Sequence, residues 1–301
     1  MKVLVSAIKD EAGCCRLSTI RNASAWPVLL EQRERELGAT LLSVPQPRQA
    51  QLCRHFTLSQ DKLGSAPAYS YFECDRQGVG TRTYEVLMIL GSPYERLVAV
   101  NGKPLTPGEQ AKEQQKLETV MAQRRGESEQ QRGKRIAKYE KERNRDHLLM
   151  DEMVKAFNFK LVGEQRSGPF DVYVLKATPK PGYHPPNTET KVLTGMQGEL
   201  WIDKETFQWV KVEAEVIYPV SIAGFLARVE PGTRFELEKM PVGDGIWLPK
   251  HFAMKSRAKI LFLFTSQKQE DETYFDYRKA VVPQTLGVPR EDKCSPNSSI
   301  D

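Results

Sequence analysis

The sequence predicts a mainly β fold: one long antiparallel meander of eleven strands, with a helical insert after the third. Three observations carry this expectation. From Tyr69 onward, short aromatic and β-branched segments alternate with Gly, Pro, Asn and Asp breaks, which is the mark of strands joined by tight turns. From Thr106 to Phe157 that pattern stops, and Glu, Gln, Lys and Arg take over, with apolar residues at three- and four-residue spacing. No βαβ alternation occurs, which argues against a doubly wound nucleotide-binding sheet. A large sheet that is wet on one side curls, and its dry side needs cover. The inserted helices are the natural cover.

The elements follow in order. Residues 1–65 form an N-terminal segment unlike the rest. Within it Val28 to Leu42 carries a helical pattern through Leu29, Leu30, Leu37 and Leu41, and Pro45 and Pro47 stop it. Residues 66–281 form one β domain with its insert at 106–157. Tyr69 to Arg76 is its first strand, broken by Gly78-Val79-Gly80. Thr83 to Leu90 and Tyr94 to Val100 make a hairpin around Gly91-Ser92-Pro93. Asn101-Gly102 ends the pair.

Thr106-Pro107-Gly108-Glu109 is a helix start, with Pro in the first position and Glu three after the cap. Leu117, Val120 and Met121 share one face, Gly126 and Gly133 weaken the middle, and Leu149, Met153 and Phe157 recur at four-residue spacing. Two or three helices follow from this, the last docked by that stripe.

Strands return at Asn158–Arg166, Pro169–Thr178, Met196–Asp203 and Phe207–Tyr218. In the last of these, Val210, Val212, Ala214 and Val216 alternate with Lys211, Glu213 and Glu215, as in a half-buried antiparallel strand. Ser221 to Val229 is a small apolar insertion. Thr233–Met240, Gly245–Met254, Ala258–Ser266 and Thr273–Ala280 complete the count. Residues 282–301, with Pro283, Pro289 and Pro296, form a loose tail.

Composition narrows the function classes. The chain has 301 residues and 40% hydrophobic side chains, enough for a sizeable core. Its net charge of +5 is mild for this length. Most of that surplus sits in the helical insert, where acids are interleaved and no aromatic stacking platform accompanies the bases, so nucleic acid is not expected as a partner. The longest apolar run, Ile260 to Phe264, has strand length, so no transmembrane span is expected. Five cysteines, Cys14, Cys15, Cys53, Cys74 and Cys294, include an adjacent pair and no CxxC. They read neither as a disulfide framework nor as a zinc site.

The start, Met1-Lys2 followed by a short apolar run to Ile8, ends at Lys9-Asp10-Glu11, short of a working secretion signal. Ala12-Gly13-Cys14 approximates the end of a lipoprotein cleavage box, but Glu11 stands where Leu is expected. No convincing signal peptide is read here.

The catalytic search returns no GxSxG, HExxH or P-loop. The histidines His55, His147, His184 and His251 are scattered. His147 and Asp151 lack a third ligand, and Glu213 and Glu215 beside Lys211 read as a solvated ladder. No enzyme activity, cofactor or metal is expected.

One resemblance goes further. The run Tyr84-Glu85-Val86-Leu87-Met88-Ile89-Leu90-Gly91, then Leu97 to Pro104, then a charged helical insert, resembles bacterial proteins of the outer-membrane lipoprotein-sorting family. Gly198-Glu199-Leu200-Trp201-Ile202-Asp203 and the strand after it do so as well. That group is similar to the periplasmic carrier LolA and the periplasmic sensor RseB, and the likeness covers about residues 68–281. It implies an eleven-stranded incomplete antiparallel β-barrel with a helical lid inserted after the third strand. It further implies binding of lipid or lipoprotein acyl chains in an apolar hollow, an envelope protein as the other kind of partner, peripheral membrane contact and a periplasmic location. No catalytic residue comes with it, and no cargo-contacting residue transfers one by one. Strand alternation supplies the cavity-lining candidates: Val86, Met88, Leu200, Ile202, Val210, Val212, Val216, Phe262 and Phe264. Alternation fixes their spacing but leaves open which face is inside.

Overall fold

The computed structural model describes residues 5–9, 15–19, 69–78, 80–222, 227–260, 264–280 and 294. The helix expected over Val28–Leu42, Phe262, and the residues of the 282–301 tail other than Cys294 lie outside the described residues. Chain contacts divide the protein into two compact units, Met1–Leu58 and Ser59–Asp301. In the first, β1 (Val5–Lys9) and β2 (Cys15–Thr19) form a two-stranded antiparallel sheet.

The second unit holds the large sheet. Its strands are β3 (Tyr69–Gln77), β4 (Gly80–Ile89), β5 (Ser92–Val100), β6 (Lys103–Pro104), β7 (Phe157–Ser167), β8 (Phe170–Pro179), β9 (Met196–Asp203) and β10 (Trp209–Val216). After them come β11 (Val220–Ser221), β12 (Ala227–Val229), β13 (Arg234–Gly243), β14 (Ile246–Ile260) and β15 (Phe264–Lys279). Helices α1 (Pro107–Arg125) and α2 (Glu129–Ala156) lie between β6 and β7, and a short 3-10 helix (Glu189–Gly195) precedes β9.

Eleven strands follow one path, β6-β5-β4-β3-β15-β14-β13-β10-β9-β8-β7, and β11 and β12 pair beside it to give thirteen. Every pairing is antiparallel. The sheet does not close: β6 and β7 are its two edges. It is an incomplete barrel, and α1 and α2 are the chain that connects the edges.

The eleven strands of the path are not all the expected ones. Lys103–Pro104 pairs with β5 as a short extra strand. The three strands expected after Gly245 are two long ones, with pairing running unbroken from His251↔Thr273 to Ile260↔Phe264. The polar run Lys255-Ser256-Arg257 reads locally as a break, but ladder bonds to Gln269, Lys268 and Gln267 keep it extended. Ser221–Val229, expected as an apolar insertion, contributes the β11–β12 pair.

Both helix starts are capping boxes. Thr106 Oγ1 accepts from Glu109 N at 3.4 Å while Glu109 Oε2 accepts from Thr106 N at 2.9 Å. Ser128 and Gln131 repeat the arrangement at 3.3 and 2.9 Å. Each cap contributes about 1 kcal/mol. Helix α1 ends at Gly126, where the sequence placed a weak point. Leu117 packs against Leu87 and Ile89. Arg124 is buried, and its guanidinium donates to the carbonyls of Ile89, Ser92 and Pro93 at 2.9, 2.8 and 2.9 Å. Arg135 of α2 donates to Leu90 O at 3.2 Å and Ser92 Oγ at 2.7 Å.

The helices thus grip the β4–β5 turn from two sides. That turn is Leu90-Gly91, both with positive φ, the two-residue type that suits strand twist. A side chain at Gly91 would meet Ile136 Cδ1 of α2 at 2.9 Å, so glycine is required there by the crossing helix as well as by the turn.

One covalent link departs from the sequence reading. Cys74 of β3 is disulfide-bonded to Cys294, with 5.8 Å between Cα atoms. The cysteine spacing hides this pair, because a separation of 220 residues carries no local signal. The bridge is buried with Phe72, Val98 and Phe275, and the rings of Phe72 and Phe275 stack at 5.5 Å.

Candidate functional site

Residues opposite one another in antiparallel strands share a face, so the register defines two faces across the whole sheet. One runs Leu161, Leu175, Leu200, Val212, Leu237, Phe252, Glu272. It continues as Glu73 beside Tyr274, then Tyr71 opposite Val86. The other runs Val174, Trp201, Lys211, Glu238, His251, Thr273, Cys74, Thr83. The first face is apolar over β7 to β14 and turns tyrosine- and carboxylate-rich over β15 and β3. The second is charged over β9, β10 and β13.

The expected lining residues divide between these settings. Val86, Leu200, Ile202, Val212 and Val216 stand on the first face and are buried, and Met88 joins them half-buried. Val210 does not. The register shifts between Trp209 and Lys211, so Val210 is the extra residue of a bulge. It packs on the second face with Val172, Val174, Trp201 and Trp247. Phe264 opens β15 and is 64% exposed. Residues the sequence reading passed over sit at the centre of the first face. Phe235 pairs with Met254 and Leu237 with Phe252, all four half-buried. The alternation Phe235-Glu236-Leu237-Glu238 was the signal that could have found two of them.

Beyond Phe252 the first face changes chemistry. Tyr71 contacts Tyr277 and Tyr274, with ring centroids 5.0 and 5.9 Å apart, and Tyr277 meets Tyr69 at 6.1 Å. The hydroxyl of Tyr274 donates to Glu272, and that of Tyr277 donates to Pro249 O at 2.8 Å. Burial, then the charges of Glu272, Glu95 and Asp75, push the Glu73 carboxyl up to about 7. Burial also raises Tyr71, Tyr274 and Tyr277.

Lys239 of β13 is a further buried charged group. Lys239 pairs with Pro249 of β14, beside a register shift between Glu238 and Lys239. Lys239 is 3% exposed, and its Nζ has no hydrogen-bond partner among the described residues. Burial alone lowers its ammonium to about 8.

The second face carries an ion-pair ladder. Glu199, Glu213 and Glu236 lie in one register row. Lys211 Nζ contacts Glu213 at 2.7 Å and Glu236 at 2.9 Å, and lies over the Trp201 ring. A cavity of about 590 Å³ opens along this row, lined by Lys176, Glu199, Glu213, Arg234 and Glu236 among others. None of the expected lining residues borders it. His251 Nε2 lies 3.2 Å from Asp271 Oδ1 on the same face. Among the described residues no group of three His, Cys, Asp or Glu could hold a metal ion. Among them, too, no helix is long and apolar enough to cross a membrane.

The fold so described is an open antiparallel sheet with one apolar face and helices joining its edges. No family model matches the chain, and no curated protein does. Among solved structures it is similar to an outer-membrane lipoprotein-sorting protein domain from Vibrio parahaemolyticus, at 10% identity over 76% of this chain and 92% of that one, with a TM-score of 0.31. It is similar to a DUF1329 family protein from Desulfovibrio piger at 11% identity over 77% and 93%, with a TM-score of 0.26. A third is the Pseudomonas aeruginosa complex of MucA and MucB, at 11% identity over 74% and 92%, with a TM-score of 0.24.

Proposed function

We propose that this chain is a non-catalytic carrier that binds the acyl chains of a lipid or a lipidated protein on the apolar face of its open sheet, within the cell envelope. The carrying observation is the register row Leu161–Leu175–Leu200–Val212–Leu237–Phe252, apolar across six strands. Leu200 and Val212 in the middle of this row are buried, while Leu237 and Phe252 at its β13–β14 end are only half-buried. Each methylene hidden there is worth about 0.8 kcal/mol, so a chain laid along these strands gains several kcal/mol without a closed pore. The open seam between β6 and β7 gives such a chain an entry, and a shift of α1 and α2 would widen it. The buried Cys74–Cys294 bridge supports an oxidising compartment such as the periplasm.

Native mass spectrometry of the purified chain, followed by organic extraction and lipid identification, tests this reading. A bound acyl species at defined stoichiometry supports it. A clean apo protein that also refuses added lipid overturns it. The second reading is an envelope module that recognises a protein partner. The charged cavity beside Glu199, Glu213 and Glu236 favours it, since like charges held in one register row are stabilised by a basic partner. A lipid-free protein that captures basic peptides, and loses them when Glu213 and Glu236 become Gln, would establish that module.

A further inference from the structure

The apolar row of the first face runs directly into carboxylates. Phe252 of β14 stands opposite Glu272 of β15, and Tyr274, two residues further on, stands opposite Glu73 of β3. Tyr71 lies two residues before Glu73 on the same face, and its ring meets those of Tyr274 and Tyr277 at 5.9 and 5.0 Å. Tyr139 of α2 acts on Tyr71, so the helix approaches the same cluster. Glu73 is the unsatisfied member. The charges that act on it, Glu272, Glu95 and Asp75, are all negative. Among the described residues no donor and no cation partners its side chain. Glu272 accepts from Tyr274, and Lys268, the cation that acts on it, is paired with Glu270. Glu73, Glu272, Tyr71 and Tyr274 are half-buried, so a ligand lying on the row can touch them. A cation placed there relieves the repulsion between the carboxylates, supplies the missing donor and gains from the electron-rich rings.

We infer that Glu73 and Glu272, with the rings of Tyr71 and Tyr274, bind the primary ammonium head of an amphiphile whose hydrocarbon chain lies along Phe252, Leu237, Val212 and Leu200. This rests on the carrier reading above and narrows its ligand to amine-headed amphiphiles. A primary ammonium carries three donors, enough to serve both carboxylates. From Glu272 to Leu200 the row crosses from β15 through β14, β13 and β10 to β9, about 19 Å along the sheet, which accommodates an extended fatty chain. An alcohol head on the same chain gains the tail contacts only. A carboxylate head brings one more like charge to the cluster.

The test uses the full chain, stripped of lipid, at pH 8, where Glu73 is ionised and an alkylammonium keeps its proton. Oleylamine, oleyl alcohol and oleate each compete with a fluorescent apolar probe. Wild type should bind oleylamine about tenfold more tightly than oleyl alcohol, the size of one charge-assisted contact, and oleate least tightly. The double variant Glu73→Gln/Glu272→Gln should bind amine and alcohol alike. The control Glu189→Gln/Glu205→Gln removes the same charge from exposed positions elsewhere and should keep the preference. Circular dichroism checks that each variant is folded; should the double variant not fold, Glu73→Gln alone should lower the preference about threefold, half the contact in free energy. Equal binding of amine and alcohol by wild type, or an undiminished preference in the Glu73 variants, overturns the assignment while leaving the carrier reading intact. Loss of the preference in the control as well would trace it to general surface charge and overturn the assignment too. Uptake of none of the three overturns the carrier reading and the assignment with it. Butylamine should not displace oleylamine. Displacement at millimolar butylamine would assign the site to a free amine and overturn the amphiphile.

Discussion

Replacing Lys239 by Met should make the lipid-free protein more stable. At neutral pH Lys239 holds a proton in both the folded and the unfolded chain, but in the fold that charge is enclosed and has no partner among the described residues. Burial lowers the ammonium from 10.5 to about 8, which corresponds to about 3 kcal/mol of lost stability below pH 8. Met keeps nearly the same length and volume and carries no charge to desolvate. The gain should raise the melting temperature by about 6–12 °C for a unit of this size. Between pH 8 and 10.5 the unfolded chain binds the proton that the folded chain has released, so wild-type stability rises with pH and the gap closes. Thermal denaturation followed by circular dichroism at pH 7, 9 and 10.5 reads this directly. A Met variant no more stable than wild type at pH 7, or a gap that stays constant to pH 10.5, would refute the placement of Lys239 as an unpaired buried charge.

The remaining expectations are these. Arg124→Ala should destabilise the protein by about 3 kcal/mol in urea titration, because three carbonyls of the β4–β5 turn lose a charged donor. Arg124→Lys should recover less than half, because an ammonium cannot reproduce the fork; full recovery would mean that charge alone docks α1. Glu73 is raised to about 7, so the fold holds a proton that the unfolded chain releases near 4.5, and stability falls as pH climbs through that window. Glu73→Gln should flatten the fall, by about 1–2 kcal/mol once partial exposure is allowed for; an unchanged pH profile would remove Glu73 from the account. Reducing Cys74–Cys294 should cost about 2–5 kcal/mol in thermal melts, and a melt indifferent to dithiothreitol would show that the bridge contributes nothing.

Local signals were legible where they act locally. Thr106-Pro107-Gly108-Glu109 specifies its helix start because the cap and its partner are three residues apart. The alternation of Val212 with its charged neighbours reports a half-buried strand because side chains on a strand have a period of two. Leu200, Ile202 and Val216 share a face for the same reason. Val210 breaks the rule: nothing in Trp209-Val210-Lys211 announces an extra residue in the ladder, and the bulge exists only against β9. Lys239 was invisible because Lys beside Met240 and Pro241 reads as a solvated strand end. Its burial comes from neighbouring strands far away in sequence. The Tyr71, Tyr274 and Tyr277 group is hidden in the same way, since the pairing of β3 with β15 brings the two ends of the domain together.

That pairing also dictates an order of assembly. Strands β3, β4 and β5 can zip together as soon as they leave the ribosome, and β7 to β14 can follow as a second sheet. The two remain separate pieces until β15, the last of the described strands, slots between β3 and β14. Until then each piece presents a bare edge ready to pair with any extended chain nearby. A truncated product that stops short of Phe264 would keep both edges and lack Cys294 as well. Completion of the sheet therefore turns on one event: whether β15 arrives before another chain pairs with the bare edges.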